Sequence, residues 1–466
     1  MSNDAAVIGA GPNGLAAAIT LARAGRSVVV YERAGTVGGS ARSSELTLPG
    51  YLHDVCSAAH PMAVAGEFFN SMPLHEHGLE WIRPEFPVAH LLPEQDAVIQ
   101  HTDLEETARE VNDLAYAAEL RPFLDRFSDL LRNGTAPPGL PENPVLMARF
   151  GLRAMIPATT LARLLFKTER GQALFAGHAC HSCLPLSQSP SAAIGLMLQL
   201  AAHAVNFPMP KGGAGRITTA MASYLESLGG RIECGVDIGH INQVDAEQVF
   251  FCTSPRDMVR IAGDLLPSNY VSRLSKFKRG PGVFKVDYAL KEPIPWSDPR
   301  VARAGTVHLA GTLEQLAASE ATVAQGGHAD APFVLLTQPT QFDTTRAPDG
   351  GHIAWAYVHV PNGSTLDQTQ ALEAQIERYA PGFGDVVLAR HTMNCAQMEA
   401  YNPNYVGGDV NGGANTLDQL FTRPIAALSP YCTPNPRIFL CSASVPPGGG
   451  VHGLGGFNAV RAAGIV

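Results

Sequence analysis

The 466-residue chain has no basic stripe, no uninterrupted apolar run of membrane-spanning length, no sequence repeat and no low-complexity segment. Each absence removes a class of function. A net charge of −9 without clustered lysine and arginine argues against nucleic acid as a partner. The longest apolar candidate, Ala192 to Val205, carries Gln199 and His203 and is too short to cross a bilayer. The first apolar run begins at Ala5 with no basic region before it, and glycines punctuate it, so no secretion signal is read there. The eight cysteines therefore read as reduced thiols of a cytoplasmic protein, not as a disulfide framework. Charged residues are sparse, at 16% against 45% hydrophobic. Such a globular composition can enclose a sizeable ligand, and the length favours two domains. The 46 glycines and 35 prolines are spread along the chain, which implies many tight turns rather than a linker.

What is present begins at Val7. Ala5 to Ile8 reads as a short buried parallel strand, and Gly9-Ala10-Gly11-Pro12-Asn13-Gly14 follows. Leu15 to Ala24 reads as a helix ended by Gly25, and Ser27 to Tyr31 as a second strand closed by Glu32. The strand–turn–helix–strand context makes this a dinucleotide-binding fingerprint. Gly9 permits the tight turn, Gly11 lets a pyrophosphate approach the backbone, and Gly14 lets the helix pack on the strand. The helix start, with Pro12 and Asn13, presents N–H groups and a positive dipole end to the phosphates. Glu32, eighteen residues past Gly14, is placed to accept hydrogen bonds from ribose hydroxyls, with Arg33 beside it.

A second glycine turn, Gly38-Gly39-Ser40-Ala41-Arg42, gives another backbone approach to the diphosphate and a guanidinium for its oxygens. Here the sequence resembles the FAD-containing amine oxidase and phytoene desaturase superfamily. Further stretches extend the likeness: Gly50 to Val55, Pro210 to Gly215, Arg231 to Val236, Gln248 to Ser254, and the block from Arg437 to about Ala463. His181 to Leu186, Trp355 to Pro361 and Tyr401 to Asp409 carry a closer resemblance. It is to a bacterial subgroup of phytoene-desaturase-like oxidoreductases, related to the pyridine nucleotide-disulfide oxidoreductase domain-containing proteins.

The resemblance implies FAD as cofactor. It places the loop with Ala58 and His60 along the flavin, the Val236 backbone at the adenine, and Val451-His452-Gly453 at the flavin pyrimidine edge. The closing helix would point its N-terminus there, where a positive dipole end stabilises reduced flavin. Many relatives carry an acid after the last strand; Ser442 and Ala443 stand there instead. Lys285 matches a lysine that holds a water near the flavin N5 in amine oxidases, with Trp296 following; the plain alternative is a Lys285–Asp287 pair on a solvated edge. His452 and His60 are candidates for donating to flavin carbonyls or touching substrate, or else are structural. The closing Gly453 to Phe457 has glycines where a second cage tyrosine would sit, which suggests a wide apolar pocket.

His178, Cys180, His181 and Cys183 suggest zinc at first sight, but apolar neighbours and the lack of a second ligand pair favour packing, and no metal is expected. Phe150 to Lys167 is apolar with scattered cations; it reads as a core-facing helix, with peripheral contact at the inner face of the membrane as the alternative.

The expected architecture is α/β. A discontinuous Rossmann-type FAD domain takes residues 1–70, 205–280 and 430–466. An α+β substrate domain with a mixed sheet takes 71–204 and 281–429. The expected activity is a FAD-dependent dehydrogenase, desaturase or oxidase that takes a hydride from an apolar small molecule, lipid- or isoprenoid-like. The alternatives are a flavin amine oxidase releasing H2O2 and a non-catalytic flavin-binding scaffold. A disulfide reductase is disfavoured, because no second complete strand–GxGxxG–helix–strand unit is read and the Cys180–Cys183 pair falls in the substrate domain. Oligomeric state is left open.

Overall fold

The computed structural model describes residues 3–135, 141–309, 311–420 and 422–466. Two sheets organise it. The first has five parallel strands in the order Ile438–Leu440, Ala246–Phe251, Asn3–Ile8, Val28–Glu32 and Arg231–Cys234. The two apolar runs nearest the N-terminus sit side by side, Val7 against Val30, and Val7 also faces Phe250. Their continuous apolar character suits strands buried on both faces. Helix Pro12–Arg23 starts earlier than its apolar pattern suggests, because Pro12 has the backbone preset for a first helical turn.

Two close approaches explain glycines here. A Cβ at Gly14 would overlap the Gly9 carbonyl oxygen, so the helix could not leave the strand so abruptly. A Cβ at Gly456 would overlap the Asn13 carbonyl oxygen, where the closing helix Leu454–Ala462 lies against helix Pro12–Arg23. Gly456 thus answers to helix–helix packing, and Gly455 to its close approach to the Cys441 and Ser442 carbonyls.

The second sheet is mixed. Its order is Val387–Met393, Gly282–Leu290, His352–Val360, Val334–Thr337, Ala304–Leu309, Phe86–Leu91 and Val98–Gln100. Ala304–Leu309 and Phe86–Leu91 run parallel, and the other neighbours run antiparallel. The chain moves between the sheets more than once, so their strands interleave in sequence.

Helices between residues 104 and 205 pack beside this sheet. The Phe150–Lys167 stretch is split between helices Pro144–Ala154 and Ala158–Leu165. Leu161, Leu165 and Phe166 face the core, while Leu152 and Leu164 are exposed. Among the described residues no helix is long and apolar enough to cross a membrane. All eight cysteines are free thiols.

Candidate dinucleotide cavity and its surroundings

A cavity of about 380 Å³ opens at the C-terminal ends of the parallel strands, the edge where open α/β sheets bind ligands. It is bordered by Gly9, Gly11, Pro12 and Asn13 from the first turn and by Gly39, Ser40 and Arg42 from the second. Glu32, Arg33, Val236, Ser442 and Ala443 complete the set of expected residues on its wall. The two glycine turns meet: a Cβ on Gly39, which sits at φ +55°, would come within 2.9 Å of Gly11 Cα. No side chain caps helix Pro12–Arg23, so the N–H groups of its first turn are available to an anion. Asn13 Oδ1 is buried without a partner beside them.

Gly14, Gly38, Ala41, Ala58, His60, Val451, His452 and Gly453 are not on that wall. Gly14 and Ala41 lie behind it: the Ala41 carbonyl accepts from the Thr218 hydroxyl at 3.1 Å. Gly38 N–H donates to the Ala10 carbonyl at 2.9 Å and joins the two turns. Ala58 is buried, and Val451 packs into the core around the parallel sheet. The Val236 N–H donates to the Glu32 carbonyl at 3.0 Å, so it is engaged within the protein.

Glu32 is held firmly. Its carboxylate accepts from Ala10 N at 2.8 Å, Ala34 N at 2.9 Å and the Arg42 guanidinium at 3.1 Å. Arg42 also donates to the Val37 and Thr36 carbonyls and lies over the Tyr401 ring at 5.7 Å. The sequence assigns this guanidinium to phosphate oxygens; in the structure it braces Glu32.

The segment from Tyr401 to Gly412 forms part of the wall, although sequence patterning gave it no role beyond resemblance. Tyr401 donates its hydroxyl to the Gly39 carbonyl at 3.1 Å. Asn404 accepts from Ser254 N at 2.7 Å and donates to the Cys252 carbonyl at 3.3 Å. Ser444 donates to the Gly412 carbonyl at 2.9 Å, which ties the C-terminal strand to this segment. Arg423 is a further group without a sequence signal. Its buried guanidinium donates to Asn415 Oδ1, the Ala443 carbonyl and the Asn411 carbonyl, and its Nε has no partner. Burial lowers its pKa to about 10.

His452 and His60 are both buried, and burial lowers each pKa to about 4, so both rings are neutral at pH 7. His452 Nδ1 accepts from Leu454 N at 3.1 Å. That fixes the tautomer: the proton sits on Nε2, a buried donor without a partner. Gly453, at φ +71°, makes the turn that brings the ring back over the helix start. His60 instead turns toward Ser57 Oγ at 3.1 Å and packs near Trp81.

Lys285 does not sit on a solvated edge. It is buried on strand Gly282–Leu290 and pairs with Asp287 at 2.5 Å. Asp287 is also 3.4 Å from His391 Nδ1 and 3.8 Å from His53 Nδ1. The indole over the ammonium, at 5.8 Å, is Trp355. Trp296 lies in the cluster on the other face, with Phe284, Val286 and Tyr288, and donates to Gln338. His178 bonds Gln100, and Cys183 bonds His359; among the described residues no three such side chains converge with metal-ligand geometry.

Residues 7–71 match the family described as NAD(P)-binding Rossmann-like domain. The chain is 25% identical over 543 residues to pyridine nucleotide-disulfide oxidoreductase domain-containing protein 2 of Rattus norvegicus, covering 98% of this chain and 92% of that protein. Hydroxyneurosporene desaturase of Cereibacter sphaeroides is 29% identical over 256 residues, 50% of each chain. Among solved structures, putrescine oxidase bound to putrescine aligns with a TM-score of 0.62 at 18% identity, over 100% of this chain and 98% of the oxidase, a likeness of fold. Fold, fingerprint and full-length likeness agree: the chain carries a Rossmann-like dinucleotide-binding domain at residues 7–71 and is similar over nearly its whole length to pyridine nucleotide-disulfide oxidoreductase domain-containing protein 2, with a desaturase likeness over half of it.

Proposed function

We propose that the chain is a FAD-dependent dehydrogenase, desaturase or oxidase acting on a C–H bond of an apolar, lipid- or isoprenoid-like substrate. One observation carries the reading. A single cavity is bordered at once by the first glycine turn, the second glycine turn and the Ser442–Ser444 segment near the C-terminus. A cofactor longer than one mononucleotide would use all three. Two buried polar atoms without protein partners, Asn13 Oδ1 and His452 Nε2, lie in segments that FAD would contact. Glu32 would hold the adenosine ribose, the uncapped helix turn the diphosphate, and the Ser442 and Ser444 hydroxyls the polar chain that carboxylates hold in relatives.

Bound FAD would supply the hydride acceptor. The chain's part is to position and to exclude water. His452, neutral and with its proton fixed on Nε2, can donate one hydrogen bond to a ring carbonyl without adding charge. Arg423 places a buried cation behind the Ala443 carbonyl, where it favours negative charge nearby. The likeness to hydroxyneurosporene desaturase over half of the chain supports desaturation of an apolar substrate. The amine oxidase alternative has the fold likeness alone behind it.

The test is to purify the protein, record its visible spectrum and add substrate classes without oxygen. The expected result is a yellow protein bleached by an apolar hydrocarbon donor. Bleaching by amines with H2O2 release would select the amine oxidase. A yellow protein that no class reduces would favour the scaffold. A colourless preparation that refuses added FAD would overturn the cofactor assignment.

A further inference from the structure

Cys183, Glu320 and His359 take no part in the reading above, yet they form an ordered set. Cys183 Sγ lies 3.4 Å from His359 Nε2. His359 Nδ1 lies 2.9 and 3.0 Å from the two oxygens of Glu320. An ionised carboxylate only accepts, so Nδ1 carries a proton and Nε2 is the nitrogen that exchanges one with the sulfur. Asn411 Nδ2 donates to Sγ at 3.2 Å. Thiol, imidazole and carboxylate in this order are the arrangement that activates a sulfur nucleophile.

Three further observations separate this set from ordinary packing. Burial works against charge on His359, but the Cys183 sulfur and the Glu320 carboxylate outweigh it and hold the imidazole well above its usual pKa. Cys183 sits at φ +53°, a left-handed conformation that a residue with a side chain adopts only when its surroundings impose it. Cys183 keeps 8% of its surface exposed, whereas Cys180, three residues earlier, keeps none. The flanking rings are apolar or weakly polar: Phe333 and Tyr357 lie 5.7 and 5.6 Å from His359.

We propose that Cys183, activated by His359 and Glu320, is a nucleophile that captures the carbonyl carbon of an apolar aldehyde or ketone as a reversible thiohemiacetal. The S–C bond forms as the C=O π bond opens. The thiol proton passes through His359 Nε2 to the carbonyl oxygen. No oxidant or reductant is consumed, and release is the reverse. The inference stands apart from the flavin reading, because the capture needs no cofactor and is the same in protein stripped of flavin.

The test uses the full-length protein as purified. Iodoacetamide is applied at pH 6 and pH 8, and each cysteine is quantified by peptide mass spectrometry. Besides Glu320, the titratable groups facing the pair are Cys180, His181 and Tyr357. At pH 6 Cys183 is expected to react about tenfold faster than the exposed Cys234, because His359 Nε2, 3.4 Å from its sulfur, takes the thiol proton as the new bond forms. His359→Gln should remove that lead. It also leaves Glu320 unpaired, so Cys183→Ser and Asn411→Ala, checked for a wild-type unfolding midpoint, serve as milder variants. Asn411→Ala should slow the alkylation. In a second arm, octanal carrying ¹³C at its carbonyl is added and followed by NMR. Wild type should shift that carbon from the sp² to the sp³ region, and Cys183→Ser should not. Cys183 reacting no faster than Cys234 at pH 6, or an octanal signal that Cys183→Ser leaves unchanged, would overturn the proposal while leaving the flavin assignment untouched.

Discussion

Glu32 braces the fold around the first glycine turn and, in the proposed function, would also hold the adenosine ribose; its replacement separates the two. In Glu32→Ala the Ala10 N–H is left buried without an acceptor, the Ala34 N–H loses its partner, and Arg42 loses its carboxylate. Orphaning one buried donor costs about 1–3 kcal/mol, so the two backbone donors together cost roughly 2–6 kcal/mol. A whole domain is stable by only about 5–15 kcal/mol. Glu32→Ala therefore loses the cofactor partly because the cradle itself loosens. Glu32→Gln is the sharper test, since one oxygen remains to accept. A hydrogen bond to a charged acceptor contributes about 1.5–3 kcal/mol and one to a neutral acceptor about 0.5–1.5 kcal/mol. The difference, about 1–1.5 kcal/mol, is close to tenfold in Kd. FAD is titrated onto apoprotein by quenching of flavin fluorescence, with urea unfolding in parallel. Glu32→Gln should fold, with Kd weakened about tenfold, while Glu32→Ala shows a much lower urea midpoint and little colour. Wild-type Kd in Glu32→Gln, together with full colour in Glu32→Ala, would show that Glu32 holds neither ribose nor loop.

Lys285→Met leaves Asp287 buried without its cation, which costs about 3–5 kcal/mol; a Lys285→Met/Asp287→Leu double variant should regain most of that in urea, and a double variant no better than the single one would refute the pairing. If Lys285 also serves the flavin, the folded double variant reoxidises more slowly; wild-type kinetics would remove Lys285 from the chemistry. His53, His60 and His452 each have a pKa lowered to about 4 by burial, against about 6.5 in the unfolded chain. Between those values the unfolded chain binds protons that the folded chain does not. Stability should then be flat above about pH 7 and fall as pH drops from 6.5 to 4, by up to roughly 3 kcal/mol per histidine; a urea midpoint that does not change between pH 7.5 and 4.5 would contradict this, and His452→Gln should reduce the slope. Leu114, Leu152 and Leu164 are exposed at 85%, 76% and 61%, and Arg149 and Lys167 lie near them in sequence. Peripheral membrane contact through these leucines predicts salt-sensitive sedimentation with anionic vesicles, lost when the three become serine; equal sedimentation of the two proteins would exclude them as the contact.

The parts legible in sequence are those whose cause is local. The Val7–Glu32 stretch lays strand, turn, helix and strand in consecutive residues, and the structure builds them in that order. The same holds for the block around Ile438–Leu440 and the helix Leu454–Ala462. What stayed hidden depends on partners far away in the chain. Cys183 and His359 are 176 positions apart, and Glu320 lies 39 before His359. No spacing rule joins them. Trp296 follows Lys285 closely in sequence, yet strand alternation puts Trp355 of the neighbouring strand over the ammonium. Tyr401 and Asn404 reach the cavity wall from a segment whose composition suggests only a loop.

Glycine and histidine near the C-terminus show how one sequence signal can have a different physical cause. A lack of bulk at Gly455 and Gly456 reads as room above a ring, but both backbones press on neighbours: a Cβ at Gly455 would lie 2.9 Å from the Cys441 carbonyl oxygen. His452 and the closing helix read as two separate sources of positive character. In the structure they are one. The Leu454 N–H at the helix start donates to His452 Nδ1, which polarises the imidazole and leaves Nε2–H as the outgoing donor. The positive end of the helix dipole is therefore relayed through a neutral ring. A relay of this kind offers a hydrogen bond of fixed direction where a bare helix end offers a diffuse field, and it needs no protonation of the ring at pH 7.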